Sequence, residues 1–277
     1  MCYGEECPSI LIDRRSFIAG AAAAAAGFVA FAEGAAGQRQ PPTRVLDDPR
    51  VITDRVKFRH NGQDTIDGFL SRPKGDGVYS AVLVVAGNKI TEEYIPNTCA
   101  ALAVAGFVGL APNVFHPLPD TAPSNEYDRY LANHTELDRL DDIQAGASFL
   151  RTQPFVKPTG LGIIGFCRGG REAMLFAARS REVDAVVAFH PAPVTASEVA
   201  RLRVPVQVHH GTGDHSVGVE NTRALKATLA KQHTPVEAWF YDGADHGFLA
   251  YTRTFYRPEY ARLAWSRSIA FLHKTLG

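Results

Sequence analysis

The pattern of apolar and polar positions changes character once along the chain. Residues 51–60, VITDRVKFRH, and 65–73, TIDGFLSRP, alternate in polarity on either side of an NGQ turn, which predicts an antiparallel hairpin. YSAVLVVAG, at 79–87, is instead a continuous apolar run of strand length, the mark of a strand covered on both faces. From there strand-like runs (FVGLAP, GLGIIGF, DAVVAFH, VPVQVHHG, VEAWFY) separate helical stretches at 92–105, 136–152, 168–180, 219–231 and 258–276. In the last of these Ala261, Ala264, Trp265, Ile269 and Leu272 form one apolar stripe, so it should pack on the sheet. The alternation predicts an α/β domain with a mostly parallel central sheet, helices on both faces and right-handed crossovers.

The 277 residues, 45% hydrophobic, suffice for one large core. Lysine plus arginine equals aspartate plus glutamate at 29 each, so no overall field draws nucleic acid or an anionic membrane, and the expected partner is small or neutral. Residues 1–32 are of another kind: the pair Arg14–Arg15 precedes an alanine-rich apolar stretch ending in Ala30, Phe31 and Ala32, which reads as a twin-arginine export signal with an A-x-A processing site. A retained anchor is the alternative, although the stretch is short and interrupted by Gly20 and Gly27; a flexible tail leaves the arginine pair unexplained. The expectation is a partner in the twin-arginine machinery, a periplasmic or otherwise exported location, and no stable membrane insertion after processing. Residues 33–50 read as a flexible linker and 51–277 as the domain. Cys2 and Cys7 would leave with the signal, and Cys99 and Cys167 read as free thiols, Cys99 in the core.

The candidate chemistry falls at strand ends, where open parallel sheets bind ligands. GFCRG at 165–169 has the G-x-nucleophile-x-G form of a strand-to-helix elbow, in which glycines let strand and helix approach while the central side chain is held exposed. Backbone N–H groups from Arg168 onward would face the sulfur and an oxyanion. Asp214 in HHGTGDHSV and His246 in YDGADHGF follow at later strand ends, in the order nucleophile, acid, histidine. Singly, Cys167 reads as a small buried hydrophobe, Asp214 as a turn residue and His246 as a loop histidine. Their order turns them into a candidate catalytic set.

These motifs resemble those of the dienelactone hydrolase family of α/β-hydrolases, with GFCRGG similar to its nucleophile motif, HHGTGDHSV to its acid motif, and YDGADHGF with the closing helix to its histidine block. The resemblance implies an α/β-hydrolase fold over 51–277 and an esterase or lactonase that uses Cys167, His246 and Asp214 with no metal or organic cofactor. It departs at VVAGNKI, where Gly87 stands in place of a glutamate that helps ionise the thiol. Activation would then fall to His246, and the backbone N–H of Asn88 would complete the oxyanion hole.

Arg253 would fork around a substrate carboxylate or pair with a local acid such as Glu259. Lys89 and Arg168, beside the oxyanion hole, would attract anions or stay as surface charge. The polar stretch HPLPDTAPSNEYDRY suits a lid with His116 and Tyr127 facing the site, or an ordinary loop. His190 reads as a neighbour of the site rather than a reactant. The cluster His209, His210, Asp214 and His215 lacks metal-motif spacing, and adjacent strand histidines point to opposite faces, so no metal is expected there. A non-catalytic or redox-sensing ligand-binding protein of the same fold is the alternative function; metal-dependent hydrolysis is the third.

Overall fold

The computed structural model describes residues 44–277 apart from 61–63, 90–91, 117 and 120. The stretch read as an export signal and most of that read as a linker thus lie outside the described residues, among which no helix is long and apolar enough to cross a membrane. The described end of the linker is held to the domain: the Val45 N–H donates to Asn97 Oδ1 at 2.6 Å.

Eight strands form one sheet: β1 (Val51–His60), β2 (Asp64–Pro73), β3 (Tyr79–Val85), β4 (Val108–Pro112), β5 (Val156–Phe166), β6 (Ala185–Phe189), β7 (Val206–Gly211) and β8 (Val236–Tyr241), in the order 1-2-4-3-5-6-7-8. The expected hairpin is present, with His60 opposite Asp64. β2 also pairs antiparallel with β4, and every later pairing is parallel. The order reverses between β3 and β5, which are neighbours although the chain places β4 between them. Their carboxyl ends, carrying Gly87 and Cys167, therefore border the crevice of a topological switch point.

Among the described residues six helices cover the sheet: α1 (Tyr94–Val104), α2 (Ser124–Asn133), α3 (Glu136–Arg151), α4 (Arg168–Arg179), α5 (Val219–Lys231) and α6 (Pro258–Leu276). The run in β3 is continuous because both faces are buried: Leu83 and Val85 join the core under α3 and α4, Val82 and Val84 the one under α1 and α6. Thr135 and Asp138 close a capping box that starts α3. Inside the same layer Arg139 Nε meets Glu172 Oε1 at 2.6 Å, tying α3 to α4 through a buried ion pair.

One element differs from the sequence reading. The polar connection contains a helix, α2, which its polar composition hides and which Pro123 immediately precedes. Tertiary packing holds it: Tyr130 donates to the Val114 carbonyl at 3.0 Å, and the Phe115 ring contacts both Tyr127 and Tyr130.

Candidate active site

Cys167 joins β5 to α4 with φ 54° and ψ −117°, a conformation that a non-glycine residue holds only when its surroundings impose it. Here the Cys167 N–H donates to the Phe189 carbonyl, and the Cys167 carbonyl accepts from Gly170 and Ala192, each at 3.0 Å. The flanking glycines are steric requirements. A Cβ on Gly165 would stand 2.1 Å from the Gly169 oxygen, and one on Gly169 would stand 2.1 Å from the Val85 oxygen. The amide of Arg168, the first residue of α4, has no carbonyl within the helix to serve and is available to an anion.

At the end of β7, Asp214 is 4% exposed and accepts at Oδ1 from the N–H groups of Ser216 (2.8 Å) and Val217 (3.0 Å). Its Oδ2 lies 2.8 Å from Nδ1 of His246 and 3.0 Å from Nε2 of His210. A carboxylate only accepts, so Nδ1 of His246 carries the proton. Burial disfavours the Asp214 charge, but contacts from His210, His246 and the Val217 amide outweigh it and hold the carboxyl well below the usual carboxylate range. Burial likewise opposes a charge on His246. The Asp214 hydrogen bond and the neighbouring Cys167 sulfur override it and lift its pKa to about 9.

Ligand atoms of Cys167, His190 and His246 lie within 4.8 Å of one another, a donor set that would also suit a thiophilic metal ion. His190, at φ 37°, holds its ring 4.2 Å from that of His246 and tilted 53° to it, and its buried Nδ1 has no hydrogen-bond partner. Burial, then the neighbouring His246, push its pKa well down, so it presents a neutral imidazole. The sequence signalled only that His190 ends a strand; the turn that aims it at the site is tertiary.

A cavity of about 160 Å³ opens over the sulfur, walled by Gly87, Asn88, Tyr94, Leu249, Arg253 and Phe255 among others. Asn88 and Arg253 both line this cavity, but Arg253 donates to Glu92 at 2.6 Å and not to Glu259. Lys89, Tyr127 and His116 are not among the cavity's walls. The Lys89 ammonium donates to the Ala122 carbonyl and sits 4.8 Å over the Tyr127 ring, so both are engaged in fastening α2. His116 turns instead toward Asp142, 3.5 Å away. His209 and His210 do point to opposite faces: His209 bonds Tyr241 and Gln207 (2.7 and 2.9 Å), whereas His210 Nδ1 bonds Thr222 at 2.6 Å.

The sheet order and a cysteine-bearing elbow at its switch point define the class, a hydrolase of the α/β-hydrolase fold. Residues 66–276 match the model of the dienelactone hydrolase family, so the chain belongs to that family, and together with its relatives this makes it a hydrolase of ester or lactone bonds. It is similar to a "Probable 2-oxo-3-(5-oxofuran-2-ylidene)propanoate lactonase" of Bradyrhizobium, 29% identical over 80% of this chain and 94% of the relative. A "Putative carboxymethylenebutenolidase" of Aquifex aeolicus is 30% identical over 78% of this chain and 96% of its own length. A crystal structure described as a "Putative Dienelactone Hydrolase" from Klebsiella pneumoniae matches with TM-score 0.73 at 25% identity, over 81% of this chain and 99% of that one. Brefeldin A esterase, at 15% identity and TM-score 0.67 over 81% of this chain and 77% of its own, shares the fold.

Proposed function

We propose that the protein hydrolyses small carboxylic esters or lactones through a thioester acyl-enzyme on Cys167. The 2.8 Å contact between His246 and Asp214, with the Cys167 sulfur facing the same imidazole at the mouth of a cavity, carries this reading. Cys167 gives its proton to His246, and the thiolate attacks the carbonyl carbon as the oxygen gathers charge against the amides of Arg168 and Asn88. The imidazolium then protonates the leaving alkoxide; in a lactone that alkoxide remains tethered to the acyl group. Neutral His246 next takes a proton from water, the hydroxide displaces the sulfur, and the acid departs as the thiol is restored. Asp214 keeps Nδ1 protonated so that Nε2 faces the reacting atoms throughout.

The names of the relatives add a small lactone as the substrate class, and Arg253 at the cavity wall would meet a carboxylate on it after parting from Glu92. The Arg14–Arg15 pair and the apolar stretch behind it support export of the folded chain. Periplasmic recovery lost on changing both arginines to lysine is the expected outcome of fractionation.

The decisive experiment incubates the protein with lactones and short aryl esters and seeks an acyl adduct on Cys167 by mass spectrometry. Cys167→Ala should lose adduct and turnover while its circular dichroism stays unchanged. Full activity in that variant overturns the mechanism. A thiol that resists alkylation near neutral pH favours the non-catalytic ligand-binding reading.

A further inference from the structure

A second cluster of ligating side chains lies outside the Cys167 cavity, and the hydrolytic chemistry does not use it. His60 at the end of β1, His116 in the turn after β4, and Asp142 on α3 bring one ligand atom each to within 4.8 Å of one another. The Asp142 side chain is 1% exposed, and neither of its oxygens has a hydrogen-bond partner; nor does the buried Nδ1 of His116. A buried carboxylate left so is costly, because solvation is lost with nothing in return.

The distances suit a shared ion better than hydrogen bonds. Asp142 Oδ1 is 3.6 Å from His60 Nδ1 and 3.5 Å from His116 Nδ1. Both exceed the normal range of an N–H···O hydrogen bond. Both approach the edge, roughly 3.4 Å, of a tetrahedron built on zinc–ligand bonds of about 2.1 Å. An imidazolium on His116 would supply charge to Asp142, but it leaves the contact longer than a hydrogen bond. His116, with Asp67 and Asn113, also lines a separate open cavity, which gives a fourth position access to water. Asp67 itself is engaged with Arg55 and Asn113, so it does not compete for the ion.

We infer that His60, His116 and Asp142 bind a divalent ion of the zinc class, two imidazoles and one carboxylate being a donor set suited to it. The ion would pin the end of β1 and the β4–α2 connection to α3, and so brace the segment that carries α2.

The test uses the full, untagged chain as Cys167→Ala, which removes the other described donor cluster from competition. After chelator treatment the protein is titrated with cobalt(II) and then zinc(II). The expected result is one cobalt per chain with the structured visible absorption of a low-coordinate site, displaced by zinc, and a metal-dependent rise in melting temperature. Adding His116→Ala should weaken binding on the order of 100-fold or more, beyond the usual loss of an outer-shell partner. His60→Ala serves the same comparison if His116→Ala does not fold. Failure of Cys167→Ala to take up metal, or uptake indifferent to both histidine substitutions, overturns the inference without touching the hydrolase reading.

Discussion

A Cβ placed on Gly87 would stand 3.1 Å from the Cβ of Cys167 and 2.8 Å from the carbonyl oxygen of Phe166. The carboxyl end of β3 thus lies against the elbow so closely that the departure from the family pattern is built into the backbone, because a side chain here would push the nucleophile turn away. Gly87→Ala should therefore destabilise by about 1–3 kcal/mol, the cost of overpacking. It should also lower kcat/KM through a misplaced sulfur, whereas Gly87→Glu should restore no added activity. Thermal melts and ester kinetics on the two variants check this; a Gly87→Glu protein more active than the parent contradicts it.

In the proposed mechanism Asp214 acts through His246, so Asp214→Asn should preserve the fold while reversing the donor and acceptor roles at Nδ1. The expected loss in kcat is on the order of 10³-fold or more, as for other histidines deprived of their orienting carboxylate. Steady-state kinetics measure it. A loss below tenfold would leave the carboxylate a structural cap only.

The lifted pKa of His246, about 9, has a definite sign. A base whose folded value is raised contributes stability fully below its ordinary pKa and loses that contribution as pH rises through the folded value. With the imidazolium as the acid that releases the alkoxide, kcat/KM should fall as pH climbs through about 9. Because the sulfur is one of the groups raising it, NMR titration should find His246 of Cys167→Ala with a lower pKa than the parent. Asp214, held low, acts oppositely: its contribution is present above the ordinary aspartate range and lost as pH falls through its depressed folded value.

Glu172 is 1% exposed and depends on Arg139 for its charge partner. Burial raises its pKa even with the arginine in place. Arg139→Met should cost about 3–5 kcal/mol, the penalty for stranding a buried charge, and the double substitution Arg139→Met with Glu172→Leu should recover much of it. Denaturant unfolding of both variants decides the matter, and an unaltered midpoint for the single variant would count against the pair.

Short-range signals made the elbow and the order of elements legible. Glycines at 165 and 169 declare a close approach whatever surrounds them, and the period of 2 or 3.6 names each strand or helix from its own residues. The strand-end positions of Cys167, Asp214 and His246 followed from the same reasoning, since strand ends in such sheets share one crevice. The helix α2 escaped because packing of Phe115, Tyr127 and Tyr130 stabilises it, and its polar segment shows little of that.

The chain alone determined the α/β class, the cysteine on its bend and the histidine and carboxylate candidates, because each is encoded in a contiguous stretch. Only tertiary structure decided that Arg253 meets Glu92, that Lys89 clasps Tyr127, that His190 turns its ring onto His246, and that His60, His116 and Asp142 converge. Those partners are brought together by strand order and helix docking. Such long-range packing is set by the whole core at once and leaves no local periodicity to read.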